Sequence, residues 1–101
     1  MKKVIAERQL IFAPKGTNIR KELVIRVGVP YWLEDGVAAC PMEWDGLFDK
    51  SELSDSRGTD LLQALYLAVD IEPLLRKLQN KYDFYWPNGD AYFESNGNGN
   101  I

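Results

Sequence analysis

The chain has 101 residues, which is enough for one domain with one hydrophobic core and too few for two. Its composition is 46% hydrophobic and 27% charged, which excludes a disordered segment and is ordinary for a soluble globular domain. Twelve basic and 15 acidic side chains give a net charge of −3, which argues against a protein whose main task is binding polyphosphate.

The first part of the chain predicts two strands joined by a turn. Residues 3–13 alternate between apolar and polar side chains, as in a half-buried strand, and residues 14–18 contain the Pro, Gly and Asn typical of a turn. From 22 to 33, apolar residues occupy every second position, which predicts the second strand. Pro30 lies on the opposite row and cannot donate a hydrogen bond to a neighbouring strand. We therefore expect the far half of this strand to be bulged or at the edge of the sheet.

The middle of the chain predicts a third strand and then a long loop. The Asp35-Gly36 pair separates two apolar segments, which favours a hairpin in which residues 37–44 pair with the second strand. Residues 45–58 are rich in Gly, Ser and charged side chains and predict a connecting loop.

A helix is predicted from Asp60 to Lys81. Asp60 and Gln63 have the spacing of a capping box, and apolar residues then recur at three- and four-residue steps, which predicts a helix lying across one face of the sheet. Pro73 removes a backbone donor inside this segment. It predicts a kink, or a break at which a second helix begins.

The end of the chain predicts a short hairpin and a tail. Residues 84–86 and 91–93 flank the turn-forming sequence Pro87-Asn88-Gly89-Asp90. Residues 95–101 are rich in Gly and Asn and predict a flexible tail after a single domain spanning 1–94. The predicted fold is therefore α+β, with an antiparallel sheet of three to five strands and one long helix, kinked or broken at Pro73, packed on one face.

Several segments resemble a family of short bacterial proteins of unknown function. They are Ala6-Glu7-Arg8, Val24-Ile25-Arg26-Val27-Gly28-Val29-Pro30, Cys40-Pro41 and Gly58-Thr59-Asp60-Leu61-Leu62-Gln63-Ala64-Leu65. The resemblance covers about residues 3 to 80, and its most specific part is Gly-x-Asp-x-x-Gln-Ala-Leu at the helix start. It implies an α+β domain in a bacterial or phage setting, and it implies no catalytic residues.

Composition also limits the chemistry. The chain has no histidine, so histidine-dependent catalytic triads and histidine-ligated zinc are excluded. The single cysteine, Cys40, cannot form an intrachain disulfide or a thiolate zinc site, and we expect it to be a small buried residue rather than a nucleophile. The start of the chain predicts no signal peptide, and no apolar run is long enough to span a membrane. We expect a cytoplasmic protein with no catalytic, cofactor-binding or metal-binding residues.

Charge is distributed unevenly along the chain. Residues 1–33 carry seven basic and two acidic side chains, whereas residues 34–60 carry two basic and eight acidic ones. The acidic side chains could form a face that steers a basic partner, or they could keep a solvated loop soluble. The residues of this acidic set are Glu34, Asp35, Glu43, Asp45, Asp49, Glu52 and Asp55.

Aromatic residues beside turns suggest a partner surface, because Trp and Tyr are favoured at interface hot spots. The predicted partner-binding residues are Trp32, Glu34, Asp35, Glu43, Trp44, Asp45, Tyr85 and Trp86. We expect a non-enzymatic protein-interaction module, either an inhibitor or immunity-type protein or a homodimerising subunit. The alternative is a small ligand-binding or catalytic domain with a pocket between the sheet and residues 45–58. Nucleic-acid binding through Arg8, Arg20, Lys21 and Arg26 ranks last.

Overall fold

The fold is α+β, as predicted, with one antiparallel sheet and two consecutive helices across one of its faces. The computed structural model describes residues 3–47 and 52–93. In chain order the elements are β1 (Val4–Pro14), β2 (Lys21–Gly28), β3 (Tyr31–Trp32), β4 (Ala38–Asp45), β5 (Glu52–Gly58), α1 (Leu61–Val69), α2 (Glu72–Leu78) and β6 (Tyr82–Tyr85).

The sheet has the strand order β3-β4-β2-β1-β6, and β5 also pairs with β4. β5 pairs along β4 from Ala38 to Trp44, so β2 and β3 share the other edge of β4. The register moves by one residue between the pairs Val27↔Met42 and Tyr31↔Ala39. The second predicted strand is therefore interrupted at Pro30, and the third strand pairs with it, as predicted.

The sheet is larger than the three to five strands predicted, because it has six strands within residues 3–47 and 52–93. The prediction of a loop over 45–58 was wrong for its second half, which forms β5 with the register Trp44↔Glu52 to Ala38↔Gly58. The sequence of β5 is Glu-Leu-Ser-Asp-Ser-Arg-Gly, in which several residue types are uncommon in strands. Backbone hydrogen bonds to β4 supply the stability that local propensity does not, because strand propensity depends strongly on tertiary context.

The helix begins and breaks where the sequence predicts. The Asp60 side chain accepts a hydrogen bond from the Gln63 backbone N–H at 2.8 Å, and Gln63 Oε1 accepts one from the Thr59 N–H at 2.6 Å. These reciprocal bonds satisfy donors that the start of a helix leaves free. Pro73 lies in the first turn of α2, so the helical segment is broken between Val69 and Glu72.

The predicted terminal hairpin also forms. Tyr85 bridges to Ala91, and the Tyr92 N–H donates to the Phe84 carbonyl at 2.9 Å. β6 then adds to the end of β1, from Ile11↔Tyr85 to Pro14↔Tyr82. The predicted tail, 95–101, lies outside the described residues.

The core lies between the helices and the inner face of the sheet. Under α1 it contains small residues, Ala38, Cys40, Ala64 and Ala68, with Val27. Under α2 it contains larger ones, which are Leu10, Phe12, Leu23, Ile25, Trp44, Leu47, Ile71, Leu75 and Phe84. The small residues allow α1 to approach the sheet closely, which fixes the helix over β4 and β5. None of the described helices is long and apolar enough to cross a membrane.

Candidate interaction surface

The predicted partner-binding residues fall into three separate places. Trp32, Glu34 and Asp35 lie at the turn between β3 and β4, where the Asp35 side chain accepts a hydrogen bond from the Val37 N–H at 3.0 Å. Trp32 is 54% exposed. The acidic residues near Asp45 lie at the opposite end of β4, roughly 24 Å away at about 3.4 Å per strand residue. Tyr85 and Trp86 lie at the end of β6, which stands at the opposite end of the strand order from β3.

Trp44 is not at the surface, contrary to its place in the predicted set. It is 4% exposed and belongs to the core cluster, opposite Ile25 on β2. Alternate residues of a strand share one face, so Trp44 points the same way as Met42 and the buried Cys40. Its position next to a turn suggested exposure, but the alternation along β4 decides its direction.

The acidic residues of β4 form ion pairs with an arginine of the same chain. The Arg26 guanidinium contacts Glu43 at 3.0 Å, Asp45 at 3.2 Å and Glu7 at 3.8 Å. Hydrogen bonds to Asp45 and Glu43 raise the pKa of Arg26 further above its ordinary value. Glu43 and Asp45 therefore stabilise the outer face of the sheet as ion-pair partners.

The other acidic residues of the set whose side chains the structure describes do not extend that cluster. Asp55 accepts a hydrogen bond from the Tyr31 hydroxyl, which raises the pKa of that phenol. Asp49 and the side chain of Glu52 lie outside the described residues. The structure therefore brings Glu43 and Asp45 together and leaves Glu34 and Asp35 at a distant turn.

Tyr85 and Trp86 each stack with an arginine. The Arg20 guanidinium lies 4.1 Å from the centroid of the Tyr85 ring, and that of Arg8 lies 5.3 Å from the Trp86 ring. Cation–π contacts of this kind are favourable. These two aromatic residues therefore help to hold the terminal hairpin to β1 and to the turn before β2.

A polar cluster links the same hairpin to α2. Arg8 donates to the Tyr92 hydroxyl at 2.7 Å and lies 3.6 Å from Glu72, and the Tyr92 hydroxyl donates to Glu72. Burial, and then the hydrogen bond to Glu72, raise the pKa of Tyr92. The cluster therefore joins β1, the terminal hairpin and α2.

The most exposed apolar surface lies on the outward side of α1, which sequence reasoning missed. We call Leu62, Tyr66 and Val69 the helix patch; they are 75%, 64% and 46% exposed. Their spacing of four and three residues places them on one side of the helix. The sequence does contain a signal for this patch, which is the composition of α1: eight of its nine residues are apolar or aromatic, and only Gln63 is not.

The start of β1 provides an unpaired strand edge beside this patch. Among the described residues, β6 pairs with β1 from Ile11 to Pro14, and no other strand lies on that side of residues 4–9. We call residues 4–9 the open edge. Val4 and Ile5 on it are exposed. Ala6 lines an open cavity of about 110 Å³ together with Val27 and Val69, so the open edge and the helix patch adjoin.

The cavities are small. Three depressions in the described part of the chain have volumes of about 110, 220 and 280 Å³, below the ~300–1,000 Å³ typical of ligand pockets. Their lining contains no residue of 45–58, where the alternative hypothesis placed a pocket. No group of three or more potential metal ligands occurs within residues 3–47 and 52–93.

Comparison with other proteins adds no relative. No protein-family model, no curated protein and no solved structure matches this chain. The resemblance carried by residues 58–65 therefore stays a prediction.

Proposed function

We propose that this protein is a protein-interaction module that binds another polypeptide through the helix patch and the adjoining open edge. The observation that carries the proposal is that α1 is almost entirely apolar although one side of it is exposed. A helix that is apolar on all sides is normally buried on all sides, yet Leu62 and Tyr66 remain mostly exposed in this chain. A second polypeptide lying on α1 would remove this surface from water.

The open edge supports the same function by a different interaction. Unpaired strand edges offer backbone donors and acceptors to an incoming strand, and adjacent side chains then add specificity. The cavity shared by Ala6 and Val69 makes the edge and the patch one continuous surface. Large exposed apolar areas that are contiguous are typical of interaction sites, whereas scattered ones are not.

Trp32 extends the proposed surface on the same side of the sheet. Its register partner is Ala38, which is buried beneath α1, and register partners share a face. Glu34 and Asp35 follow Trp32, so this end of the surface would favour a partner with basic side chains. An inhibitor or immunity-type role and a homodimerising role are both forms of this function.

The experiment compares partner binding by the wild type and by a doubly substituted helix patch. In Leu62→Lys/Tyr66→Lys the buried apolar contacts would be lost and two charges would be desolvated at the interface. Full burial of one such side chain contributes about 1.5–3 kcal/mol, so we expect binding to weaken roughly 100-fold or more. Ile19→Lys is the matched control, because Ile19 is 61% exposed in the turn between β1 and β2.

The readout is quantitative mass spectrometry of proteins from the native source captured by each immobilised variant, with circular dichroism to verify folding. The proposal predicts a partner held by the wild type and by Ile19→Lys and lost from the double variant. Equal capture by all three folded proteins would refute it.

A further inference from the structure

We propose that the open edge binds a short extended peptide segment in which a basic residue is followed directly by an aliphatic one, and that this segment adds to the sheet antiparallel to β1. This inference rests on the proposed function, because it names the chemistry of the partner at that surface. Three features of the edge carry it, which are the direction of its backbone groups, the charge on its outer face and the depression on its inner face.

The backbone groups of Glu7 and Gln9 point to the open side of β1. The Lys15 N–H donates to the Lys81 carbonyl at 2.9 Å on the β6 side. Alternate residues of an antiparallel strand direct their backbone groups to the same edge, and the register with β2 is continuous over residues 6–12. Counting back from Lys15 in steps of two therefore leads to Gln9 and then to Glu7. Their N–H and carbonyl groups are available to an incoming strand.

The strand β6 leaves this part of β1 for a local reason. The register of β1 with β6 puts Pro87 opposite Gln9, and proline has no N–H to donate to a neighbouring strand. The chain turns away there, over residues 86–89. A peptide antiparallel to β1 would run in the same direction as β6. It would pair with Glu7, the next residue along β1 that points to this edge.

The outer face of the edge carries the carboxylate of Glu7. This side chain is 42% exposed and stands opposite Arg26, with 3.8 Å between the two charged groups. The same guanidinium contacts Glu43 at 3.0 Å and Asp45 at 3.2 Å, so its single charge is shared by three carboxylates. The Gln9 side chain donates to Glu7 at 3.1 Å but brings no charge. A basic side chain directly opposite Glu7 on the incoming strand would form a favourable cross-strand pair with it.

The inner face of the same edge has room for one aliphatic side chain. Ala6 points to the opposite face from Glu7 and lines, with Val69, the depression of about 110 Å³. The buried side chains of Ile25 and Val27 also line it, so its surroundings are largely apolar. Its volume is below the ~150 Å³ of a cavity that holds benzene, which favours an aliphatic side chain over an aromatic ring.

These two positions specify the order of residues in the partner. In an antiparallel strand, the residue that follows the one opposite Glu7 stands opposite Ala6, so the basic residue precedes the aliphatic one. A parallel strand would need the reverse order, but every strand pair in the described part of the chain is antiparallel. The register of β1 shifts between Val4 and Ala6, which ends the regular edge and limits the pairing to a short segment.

The probe for this site is the synthetic peptide acetyl-Ser-Thr-Lys-Val-Thr-Ser-amide, added to the isotope-labelled full chain and followed by NMR. We expect chemical-shift changes concentrated on residues 4–9 and slower hydrogen exchange of the Glu7 amide. Methylation of the peptide lysine's backbone nitrogen removes the N–H that would pair with the Glu7 carbonyl, so binding should be lost. Methylation of the valine nitrogen is the matched control, because that N–H points away from β1 and its loss should be tolerated.

Exchanges within the peptide test both side-chain contacts without any change in the protein. Glu in place of the peptide Lys should weaken binding to the wild type about fivefold or more, because it sets two carboxylates opposite each other. Ser in place of the peptide Val should weaken binding about tenfold, because the apolar contact with the depression is lost.

A charge exchange in the protein tests the register. Glu7→Lys should weaken binding of the lysine peptide about fivefold or more and should strengthen binding of the glutamate peptide by a similar factor. Arg26 keeps Glu43 and Asp45 in this variant, and its melting temperature verifies the fold. Glu34→Lys is the matched control, since it makes the same charge change in the turn after β3, three strands from β1, and should leave both affinities unchanged.

Each outcome decides the inference. An absence of chemical-shift changes at several millimolar peptide would overturn it, and so would changes centred outside residues 4–9 or equal binding of the lysine and glutamate peptides. If one of these occurs while Leu62→Lys/Tyr66→Lys still loses a captured partner, the inference is wrong and the proposed function stands at the helix patch. If the peptide binds with the expected charge dependence but that double variant loses no partner, the inference holds and the proposed function has to be reduced to the open edge.

Discussion

Replacing Gly58 by alanine should destabilise the protein more than any other single-methyl addition at the start of the helix. Gly58 ends β5, and the first turn of α1 lies directly over it. A Cβ built on Gly58 would lie 2.7 Å from the Ala64 backbone nitrogen, 2.9 Å from Gln63 Cβ and 3.0 Å from the Gln63 carbonyl carbon. These distances are shorter than ordinary van der Waals contacts, so α1 would have to move away from the sheet.

The size of the stability loss in Gly58→Ala depends on whether the atoms near the new methyl group can move. Overpacking a core costs about 1–3 kcal/mol when flexible side chains can adjust. Here the nearest atom belongs to the helix backbone, which is fixed by the Asp60 cap and by the buried Ala64. We therefore expect a loss near the upper end, ~3 kcal/mol, which is a decrease of roughly 150-fold in the folding equilibrium constant.

Urea unfolding followed by the fluorescence of the buried Trp44 measures this loss. A decrease of ~3 kcal/mol corresponds to an unfolding midpoint lower by about 1 M or more, for an m-value of about 1–3 kcal/mol/M. Ser56→Ala in the same strand is the control, with an expected change below about 1 kcal/mol. Equal midpoints for Gly58→Ala and Ser56→Ala would show that α1 does not lie against β5 as described.

Three further predictions concern the cap and two titratable groups. Asp60→Ala removes the hydrogen bond to the Gln63 N–H and should cost about 1 kcal/mol, measured by thermal unfolding against the exposed Asp90→Ala; an unchanged melting temperature would contradict the cap. Burial, and then Glu72, raise the pKa of Tyr92, so the stability it contributes is fully present below the ordinary tyrosine pKa of about 10 and is lost as the pH rises through the raised value. Because the pKa of Tyr31 is raised as well, absorbance titration should show one more late-ionising phenol in the wild type than in Tyr92→Phe. Burial, and then the charge of Asp55, raise the pKa of Cys40, so a thiol reagent should label it at the rate of unfolding rather than at once; rapid labelling of folded protein would refute its burial.

Local chemistry allowed much of the fold to be predicted from sequence. The Gly58-to-Leu65 segment has a physical reason at each key position: Gly58 admits the helix, Asp60 caps it, Gln63 returns the capping bond, and Ala64 fits the close approach. The break before Pro73 follows from its missing N–H. These features depend on a few neighbouring residues and on backbone geometry, so they are visible in the sequence.

The candidate surface was much less predictable, because exposure depends on which elements pack together. Trp32 lies exposed, but Trp44, equally close to a turn, faces the core because of the strand alternation opposite β2. Glu43 and Asp45 looked like part of an acidic face until β2 brought Arg26 beside them. The helix patch was hidden because an apolar helix predicts burial, and only the packing shows which side stays in water.

The sequence alone determined the α+β class, the helix cap, the break at Pro73 and the terminal hairpin, because each is set by the conformational preferences of nearby residues. The tertiary structure decided that residues 52–58 become a strand, that Arg26 pairs with its acidic neighbours, and that, among the described residues, the start of β1 has no strand on its outer edge. Such outcomes depend on contacts between residues far apart in the chain, whose energies no local pattern contains.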